Sequence, residues 1–406
     1  QKAGYGDNKT AVSALSGTGL EPNSDDDKQR DRELLAEAIA NKLKSIGIGN
    51  QNSEGGVGGI ISSILEALGL SKLLGKTPKD YDLATDAVPD KVEDMMTKAG
   101  LKTLPTGKAF GVINVFTDQG EYEVATFRED LSGGRRPDAV SFTDIEGDVK
   151  RRDLTINALF YDIESGEVVD LVGGINDLKN GIVRTVGSPE DRFTEDRLRI
   201  LRAIRFAGRF GSDLDPAVDA ALMKDASLEG ISGERIRDEF IKGLASAKST
   251  KQFLEMIDKY ELFSWVFKGL NVNKRFIDND DPLVLIAILL SKNELMPLAK
   301  KLNELKYSAD EVKKITTLIA MVNLNIDTAP KLKALFGKSG LSSDQLRNFG
   351  ANMGISSQLL DSFEEYLKLP MTSGPEAKEK YNLQKDGPEV GQAINAIEVD
   401  KFKNLI

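Results

Sequence analysis

The sequence predicts an α+β fold, in which a head built on a mixed β-sheet is followed by an all-helical body. Strand-like segments lie between residues 81 and 143, with a polar helix between the first two, and only helical patterns follow residue 190. Alternating helices and strands are typical of a mixed sheet, whereas a continuous series of amphipathic helices is typical of a bundle. The 406 residues suffice for more than one hydrophobic core.

Composition and pattern divide the chain into four predicted segments. The first is polar, contains many small residues and ends in the acidic run Asp25, Asp26 and Asp27, so we expect it to be disordered. The four segments are an N-terminal arm (1–27), a sheet-containing head (28–160), a helical neck (161–246) and a helical body with a tail (247–406).

Hydrophobic periodicity predicts the individual elements. It indicates an amphipathic helix over 31–46, which Gly47 ends, and a second helix over 60–74 after a glycine-rich turn at 55–59. The predicted strands cover 81–84, 110–116, 122–127 and 139–143, and the polar helix covers 90–99. The predicted later helices cover 194–210, 233–246, 250–263, 282–291 and 309–322.

Composition also excludes several kinds of chemistry. The chain contains neither cysteine nor histidine, which rules out disulfides, Cys/His zinc sites, thiol nucleophiles and histidine general bases. Its longest apolar runs, such as residues 283–290, are far shorter than the roughly 20 residues that cross a bilayer. Since no secretory signal is visible either, we expect no membrane association and a cytoplasmic location.

The distribution of charge bears on nucleic-acid binding. A net charge of −10 argues against it, because phosphate contacts normally require a surplus of Lys and Arg. Two segments, 150–152 and 192–209, are nevertheless rich in Arg and Lys, and a groove lined by them would attract phosphate. The alternative is that both segments are solvated surface.

Asp80 and Asp82 form a candidate metal site at the start of a predicted strand. Side chains two residues apart on a strand lie on the same face, so both carboxylates can share metal ions. A pair of ions about 4 Å apart can activate an attacking hydroxyl and stabilise a leaving pyrophosphate. Aspartates are also common in turns, which is the alternative for an isolated pair.

Longer motifs around this pair resemble a known family. In chain order they are Gly58-Gly59, LLGKTPKDYDLATDA, YEVATFRED, RRPDAVSFTDI, KRRDLTINALFYD, VDLVGGINDLKNGIVRTVG and FTEDRLRILRAIRFAGRF, and they span about residues 57–244. They are similar to the class II branch of the nucleotidyltransferase superfamily, which contains the CCA-adding enzymes and the bacterial poly(A) polymerases. The resemblance implies a nucleotidyltransferase-type head, a neck that recognises the nucleotide and a body that binds RNA.

The resemblance also implies which carboxylates are catalytic. Asp80 and Asp82 would bind Mg²⁺, and Glu123 of YEVATFR would be the third carboxylate, on an adjacent strand. Oxygen-rich sites of this kind suit Mg²⁺. For Glu123, an ordinary exposed strand position is the alternative.

Two further motifs are implied to bind the incoming nucleotide. In KRRDLTINALF, Asp153 would accept a hydrogen bond from the ribose 2′-OH, and Arg152 and Asn157 would lie near the triphosphate. In TEDRLRILRAIRF, Asp196 and Arg199 would read the edge of the base in place of a template. For both motifs, an ion pair at the surface is the alternative.

The second of these motifs is amphipathic. Its polar residues, including Arg199 and Arg202, fall largely along one helical stripe, and Leu198, Leu201 and Ile204 fall largely on the opposite side. Arg202 is therefore expected to lie on the nucleotide side of the helix.

The segment after the double glycine departs from the family pattern. Members usually carry Arg and Asp shortly after the double glycine, but Ser62 and Ser63 occupy these positions here, and about seven extra residues follow. The backbone N–H groups of Gly58 and Gly59 and the hydroxyl of Ser62 are then the expected phosphate donors.

The function implied by the resemblance is transfer of CMP and AMP from CTP and ATP to the 3′ end of tRNA. Two alternatives stay open. One is poly(A) addition, since the carboxylates and the base-reading pair are common to both activities. The other is a relative without activity that serves as a structural or RNA-binding component of a larger particle, an alternative supported by Ser62, Ser63 and the acidic balance.

Overall fold

The computed structural model of the protein describes residues 82–98, 101–117, 120–130, 140–162 and 167–406. Contacts divide the chain into two compact units, with the boundary between Ala226 and Ser227. All the described β-strands belong to the first unit, and the regular structure of the second is helical. The predicted α+β class is therefore confirmed. The finer division at residues 27, 160 and 246 stays a prediction.

A four-stranded sheet organises the first unit. It consists of β1 (Asp82–Thr85), β2 (Lys102–Gly107), β3 (Val112–Thr117) and β4 (Gly120–Thr126), with helix α1 (Pro89–Lys98) after β1. The sheet order is β1-β4-β3-β2, in which β1 and β4 are parallel and the other pairs are antiparallel. Alternate strand residues, such as Ile113, Val115 and Val124, are buried and form one core with Val92 and Met96 of α1.

Two-stranded pairs and short helices complete the described part of this unit. The pairs are β5 (Arg128–Asp130) with β6 (Val140–Phe142), β7 (Leu159–Asp162) with β8 (Glu167–Asp170), and β9 (Ile182–Val183) with β10 (Asp213–Leu214). The helices are α2 (Ile145–Lys150), α3 (Gly174–Asn180), α4 (Pro189–Glu195), α5 (Leu198–Phe210) and α6 (Pro216–Lys224). The sequence did not predict β2, β5 or β7 to β10. Of these, β5 and β7 to β10 have two to four residues and are too short to show a period.

The helix predicted over 194–210 is wrong at its start. The chain forms two helices, α4 and α5, and Asp196 between them has an extended backbone, with φ −146° and ψ 105°. Its carboxylate accepts a hydrogen bond from the N–H of Leu198 at 3.0 Å. Asp competes for backbone donors in this way and therefore favours helix ends over helix interiors. The predicted apolar face of α5 is confirmed, since Leu198, Leu201 and Ile204 are all buried.

The second unit is built from short helices that pack on one another. They are α7 (Gly233–Ser246), α8 (Thr250–Lys259), α9 (Phe263–Val266), α10 (Pro282–Leu290), α11 (Leu295–Glu304), α12 (Ala309–Ala320), α13 (Ala329–Ser339), α14 (Ser343–Asn352), α15 (Ser357–Lys368), α16 (Gly374–Tyr381) and α17 (Pro388–Lys403). The rings of Phe240, Phe253, Phe263 and Phe267 form an aromatic core at its start, with neighbouring centroids 5.3 to 6.5 Å apart. Gly243 permits this packing, because a Cβ there would lie 2.2 Å from the Phe253 ring.

The helix predicted over 250–263 is interrupted. Helix α8 ends at Lys259, and Glu261 adopts a left-handed backbone with φ 56° before the short helix α9 begins. A non-glycine residue rarely takes this conformation, so the sequence carries no signal for the interruption. Within the described residues, none of the helices has the length and apolar character needed to cross a membrane.

Candidate active site

Two of the predicted catalytic positions lie on adjacent strands. Asp82 of β1 and Glu123 of β4 are paired Cα positions in the parallel part of the sheet, and the Glu123 side chain is exposed. The predicted strand adjacency is confirmed. The described residues contain no group of three metal-ligating side chains. Asp80 lies outside the described residues, so the metal site stays a prediction.

Helix α2 leads directly into the paired arginines of the KRRD motif. The carboxylate of Asp148, in the last turn of α2, is almost fully buried and accepts from both of them. Arg151 donates from Nε and Nη2 at 2.8 and 2.7 Å, and Arg152 donates from the same two atoms at 3.2 and 3.1 Å. The Nη1 of Arg152 donates to the carbonyl of Asn157 at 2.8 Å, and its guanidinium lies 4.4 Å from the centre of the Phe160 ring.

Asp153 is held by three donors. Its Oδ1 accepts from the N–H of Leu154 at 2.8 Å and from the Asn157 amide at 3.1 Å, and its Oδ2 accepts from Arg202 Nε at 2.5 Å. Burial on its own raises the pKa of Asp153, but the Arg202 guanidinium and the hydrogen bonds outweigh it and hold the pKa below its ordinary value. The carboxylate is therefore an ionised acceptor at neutral pH.

Helices α4 and α5 supply arginines that contact the KRRD segment. Arg199 Nη2 donates to the carbonyl of Arg151 at 3.0 Å, and Arg192 Nη1 donates to the carbonyl of Lys150 at 2.7 Å. Both guanidinium groups also bind Glu195, with Arg199 Nη1 at 2.6 Å from Oε2. Together with the Arg202–Asp153 pair, these contacts join the predicted sugar-binding and base-reading motifs into one cluster.

The side chain of Arg199 pairs with Glu195, a contact that the sequence did not predict. The carbonyl of Asp196 accepts from the N–H of Arg199 at 3.0 Å, so the two residues are neighbours. The ion pair that holds the Arg199 side chain in place is formed with Glu195. Sequence reasoning gave Glu195 and Asp148 no role, although their spacing of three or four residues from an arginine was a visible signal.

Three predicted phosphate-binding positions cannot be placed in this cluster. Gly58, Gly59 and Ser62 lie outside the described residues, so their roles stay predictions. The described part of the candidate site therefore consists of the KRRD segment, the turn that follows it and the facing side of α4 and α5.

Family comparisons agree with the motifs. A family model described as the Poly A polymerase head domain matches residues 71–184, and a second, described as the probable RNA and SrmB-binding site of polymerase A, matches residues 213–273. The CCA-adding enzyme of Bacillus subtilis (strain 168) is 42% identical over 192 residues, which cover 46% of this chain and 47% of the relative. The chain belongs to the CCA-adding enzyme and poly(A) polymerase family. A second member, the CCA-adding enzyme of Staphylococcus saprophyticus, is 33% identical over 270 residues, covering 64% of this chain and 66% of the relative.

Solved structures of the family share the fold. The CCA-adding enzyme of Bacillus stearothermophilus, in complex with CTP, matches with a TM-score of 0.63 at 24% identity, over 92% of this chain and 93% of that one. The Thermotoga maritima CCA-adding enzyme, complexed with tRNA, matches with a TM-score of 0.59 at 19% identity, over 97% and 94% of the two chains. By sequence, the chain aligns with 47% and 66% of the lengths of the two curated family members above.

Proposed function

We propose that the protein is an RNA 3′-end nucleotidyltransferase that adds CMP and AMP from CTP and ATP to tRNA, with Mg²⁺ and release of pyrophosphate. The observation that carries the proposal is a cluster of contacts between the two motifs. Arg199 donates to the carbonyl of Arg151, Arg202 donates to Asp153, and Asn157 binds both Asp153 and Arg152. Relatives named CCA-adding enzymes support tRNA as the acceptor. Fixed guanidinium and carboxylate groups are what recognition of a triphosphate, a ribose and a base requires.

Different residues of the cluster bind different parts of the nucleotide. Arg152 binds the triphosphate, because a guanidinium matches phosphate oxygens in a fork. Asp153 accepts from the ribose 2′-OH, since its Oδ2 carries one described hydrogen bond and a carboxylate oxygen accepts two. Arg202 holds that carboxylate in one orientation.

Arg199 and Asp196 read the base. In the described structure Arg199 uses Nη1 for Glu195 and the Arg192 carbonyl and one hydrogen of Nη2 for the Arg151 carbonyl. Its Nε–H and the second Nη2 hydrogen have no acceptor among the described residues, so they can donate to a base edge. Asp196 supplies a carboxylate acceptor beside them, and the pair can then recognise cytosine or adenine.

Asp80, Asp82 and Glu123 would hold the metal. When bound there, Mg²⁺ would lower the pKa of the RNA 3′-hydroxyl and neutralise charge on the departing pyrophosphate. The protein's own contribution is to fix the nucleotide in line with the hydroxyl through the arginine cluster.

Product lengths test the proposal. The native protein is incubated with tRNA lacking its terminal CCA and with CTP alone, ATP alone or both, in Mg²⁺. CCA addition gives a short extension of fixed length that requires both nucleotides for completion, whereas poly(A) addition gives long tails with ATP alone. If the protein binds the tRNA but extends it in none of the mixtures, it is a binding component and the proposal is wrong.

Replacing Asp153 by Ala is expected to reduce the preference for CTP over dCTP by about tenfold or more, because the 2′-OH then has no acceptor. Competing CTP and dCTP in one reaction measures the preference. Asp215→Ala is a matched control, since Asp215 is a buried carboxylate that pairs with Arg184 in the same unit. An unchanged preference in the Asp153 variant would show that another residue binds the sugar.

Replacing Arg199 by Ala is expected to change the ratio of CMP to AMP incorporated while leaving the Mg²⁺ dependence as it was, because the arginine donates to the base and not to the metal. Single-turnover incorporation at a series of Mg²⁺ concentrations measures both quantities. Arg197→Ala serves as the control, because Arg197 forms its ion pair with Asp225. Equal loss of both nucleotides would mean that Arg199 is only structural.

A further inference from the structure

A buried carboxylate binds Arg152, the residue proposed to hold the triphosphate. Asp148 is 2% exposed and binds the side chains of Arg151 and Arg152. It also accepts from the backbone N–H of Arg128 at 3.3 Å, so it is anchored to β5 as well as to its own helix. A buried carboxylate with several donors has one preferred orientation, and it imposes that orientation on its partners.

The anchored Arg152 keeps two N–H groups that can bind a phosphate. A guanidinium has five N–H donors in a rigid plane. Arg152 uses Nε and one hydrogen of Nη2 for Asp148, and one hydrogen of Nη1 for the carbonyl of Asn157. One hydrogen on each terminal nitrogen is left without an acceptor in the described part of the chain. These two hydrogens form a fork that can take two oxygens of one phosphate.

Two acceptors and one aromatic ring, each from a different segment, hold the Arg152 guanidinium that carries this fork. Asp148 belongs to α2, Asn157 belongs to the turn after the KRRD segment, and the ring of Phe160 in β7 covers one face of the guanidinium at 4.4 Å. Contacts on two edges and one face leave Arg152 little freedom to rotate. A binding group fixed before its ligand arrives loses less entropy on binding.

We infer that Asp148 is a positioning residue for the nucleotide triphosphate, acting through Arg152. The inference rests on the proposed function, since it takes a triphosphate to be the ligand of Arg152. Asp148 itself touches no nucleotide. It sets the direction of the Arg152 fork, and its loss weakens binding of CTP and ATP alike because the triphosphate is common to both.

Equilibrium titration with CTP and ATP, without RNA, tests the inference on the full chain. The proteins compared are the native one, Asp148→Asn, Arg152→Gln and the double variant. We expect Asp148→Asn to weaken both nucleotides about tenfold, and the double variant to bind no more weakly than Arg152→Gln, because residues that act through one another are not additive. Asp215→Asn, which neutralises another buried partner of an arginine, is the control and should bind as the native protein does.

Two results would overturn the inference. One is native affinity in a folded Asp148→Asn protein, and the other is additive losses in the double variant. Should Asp148→Asn fail to fold, Asp148→Glu keeps the charge but shifts the carboxylate by a methylene, and weaker binding is again expected while native affinity counts against the inference. Native protein that binds nucleotides through Arg152 but does not extend RNA contradicts the proposed function and leaves the positioning role standing. Native protein that binds neither nucleotide contradicts both.

Discussion

The Asp82→Asn protein should incorporate CMP or AMP about a thousandfold more slowly than the native protein, because catalytic metal ions stabilise a transition state by several kcal/mol. Asp82 is paired in register with Glu123 on the neighbouring parallel strand. Nucleotide affinity should change far less, since Arg152, Asp153 and Arg199 are untouched. Single-turnover rates and equilibrium titration separate the two effects.

Controls for this experiment come from the same unit. Asp80→Asn should behave as Asp82→Asn does. Asp90→Asn should keep the native rate, because Asp90 is an exposed residue of α1 that pairs with Lys108. A native rate in the Asp82 variant would show that these carboxylates are not catalytic, even if nucleotide binding were intact.

The second large effect concerns stability of the helical unit. Glu398 of α17 is fully buried and accepts from Lys333 at 3.2 Å, Tyr366 at 2.7 Å and Lys401 at 3.0 Å. It also accepts from the N–H of Thr372 at 2.9 Å and from the hydroxyl of that residue at 2.5 Å. One carboxylate therefore joins α13, α15 and α17.

Replacing Glu398 by Gln should lower the free energy of unfolding by about 3 to 5 kcal/mol, because it leaves the ammonium of Lys333 buried without its counter-charge. Lys333 is only 5% exposed and cannot reach solvent without local opening. The chain has one tryptophan, Trp265, and it lies in the same unit, so its fluorescence in a denaturant titration reports the relevant transition.

Two further variants show whether a loss of stability in Glu398→Gln comes from the buried ion pair. Glu365→Gln breaks the exposed pair with Lys368 on α15 and should leave stability unchanged. Adding Lys333→Met to Glu398→Gln should recover part of the lost stability, since it removes the uncompensated charge. A Glu398 variant as stable as the native protein would show that the cluster contributes nothing.

The pH dependence of this effect has a definite sign. Burial raises the pKa of Glu398, but the hydrogen bonds from Thr372 and Tyr366 and the nearby Lys401 outweigh it and lower the pKa to about 2. A carboxyl with a lowered pKa stabilises the folded state above its unfolded pKa of roughly 4.3. The stability difference between the native protein and Glu398→Gln should therefore be full at neutral pH and shrink as the pH falls from about 4 towards 2.

Much of the fold was predictable because its signals are local. Alternation placed strands at Asp82 and Glu123, and helical spacing identified the buried face of α5 through Leu198, Leu201 and Ile204. The break at Asp196 was less visible, because a helical period continues across it. The interruption at Glu261 had no local signal, since a residue other than glycine rarely adopts the left-handed backbone found there.

The contacts within the candidate site were harder to predict than its residues. The motifs indicated Arg152, Asp153 and Arg199, but the partner of Arg202 is Asp153, which lies 49 residues away in sequence. Glu398 and Lys333 are 65 residues apart. Pairings of this kind depend on how helices pack, so one sequence without a structure does not reveal them.

Label transfer to a defined RNA end measures the proposed nucleotidyl transfer itself. The native protein is given Mg²⁺, CTP labelled at the α-phosphate, and tRNA ending just before CCA with either a 3′-hydroxyl or a 3′-deoxy terminus. We expect label to join the RNA with the free 3′-hydroxyl, the deoxy-terminated RNA to stay unlabelled, and pyrophosphate to appear in proportion. A folded protein that leaves both RNAs unlabelled would contradict the proposed transfer.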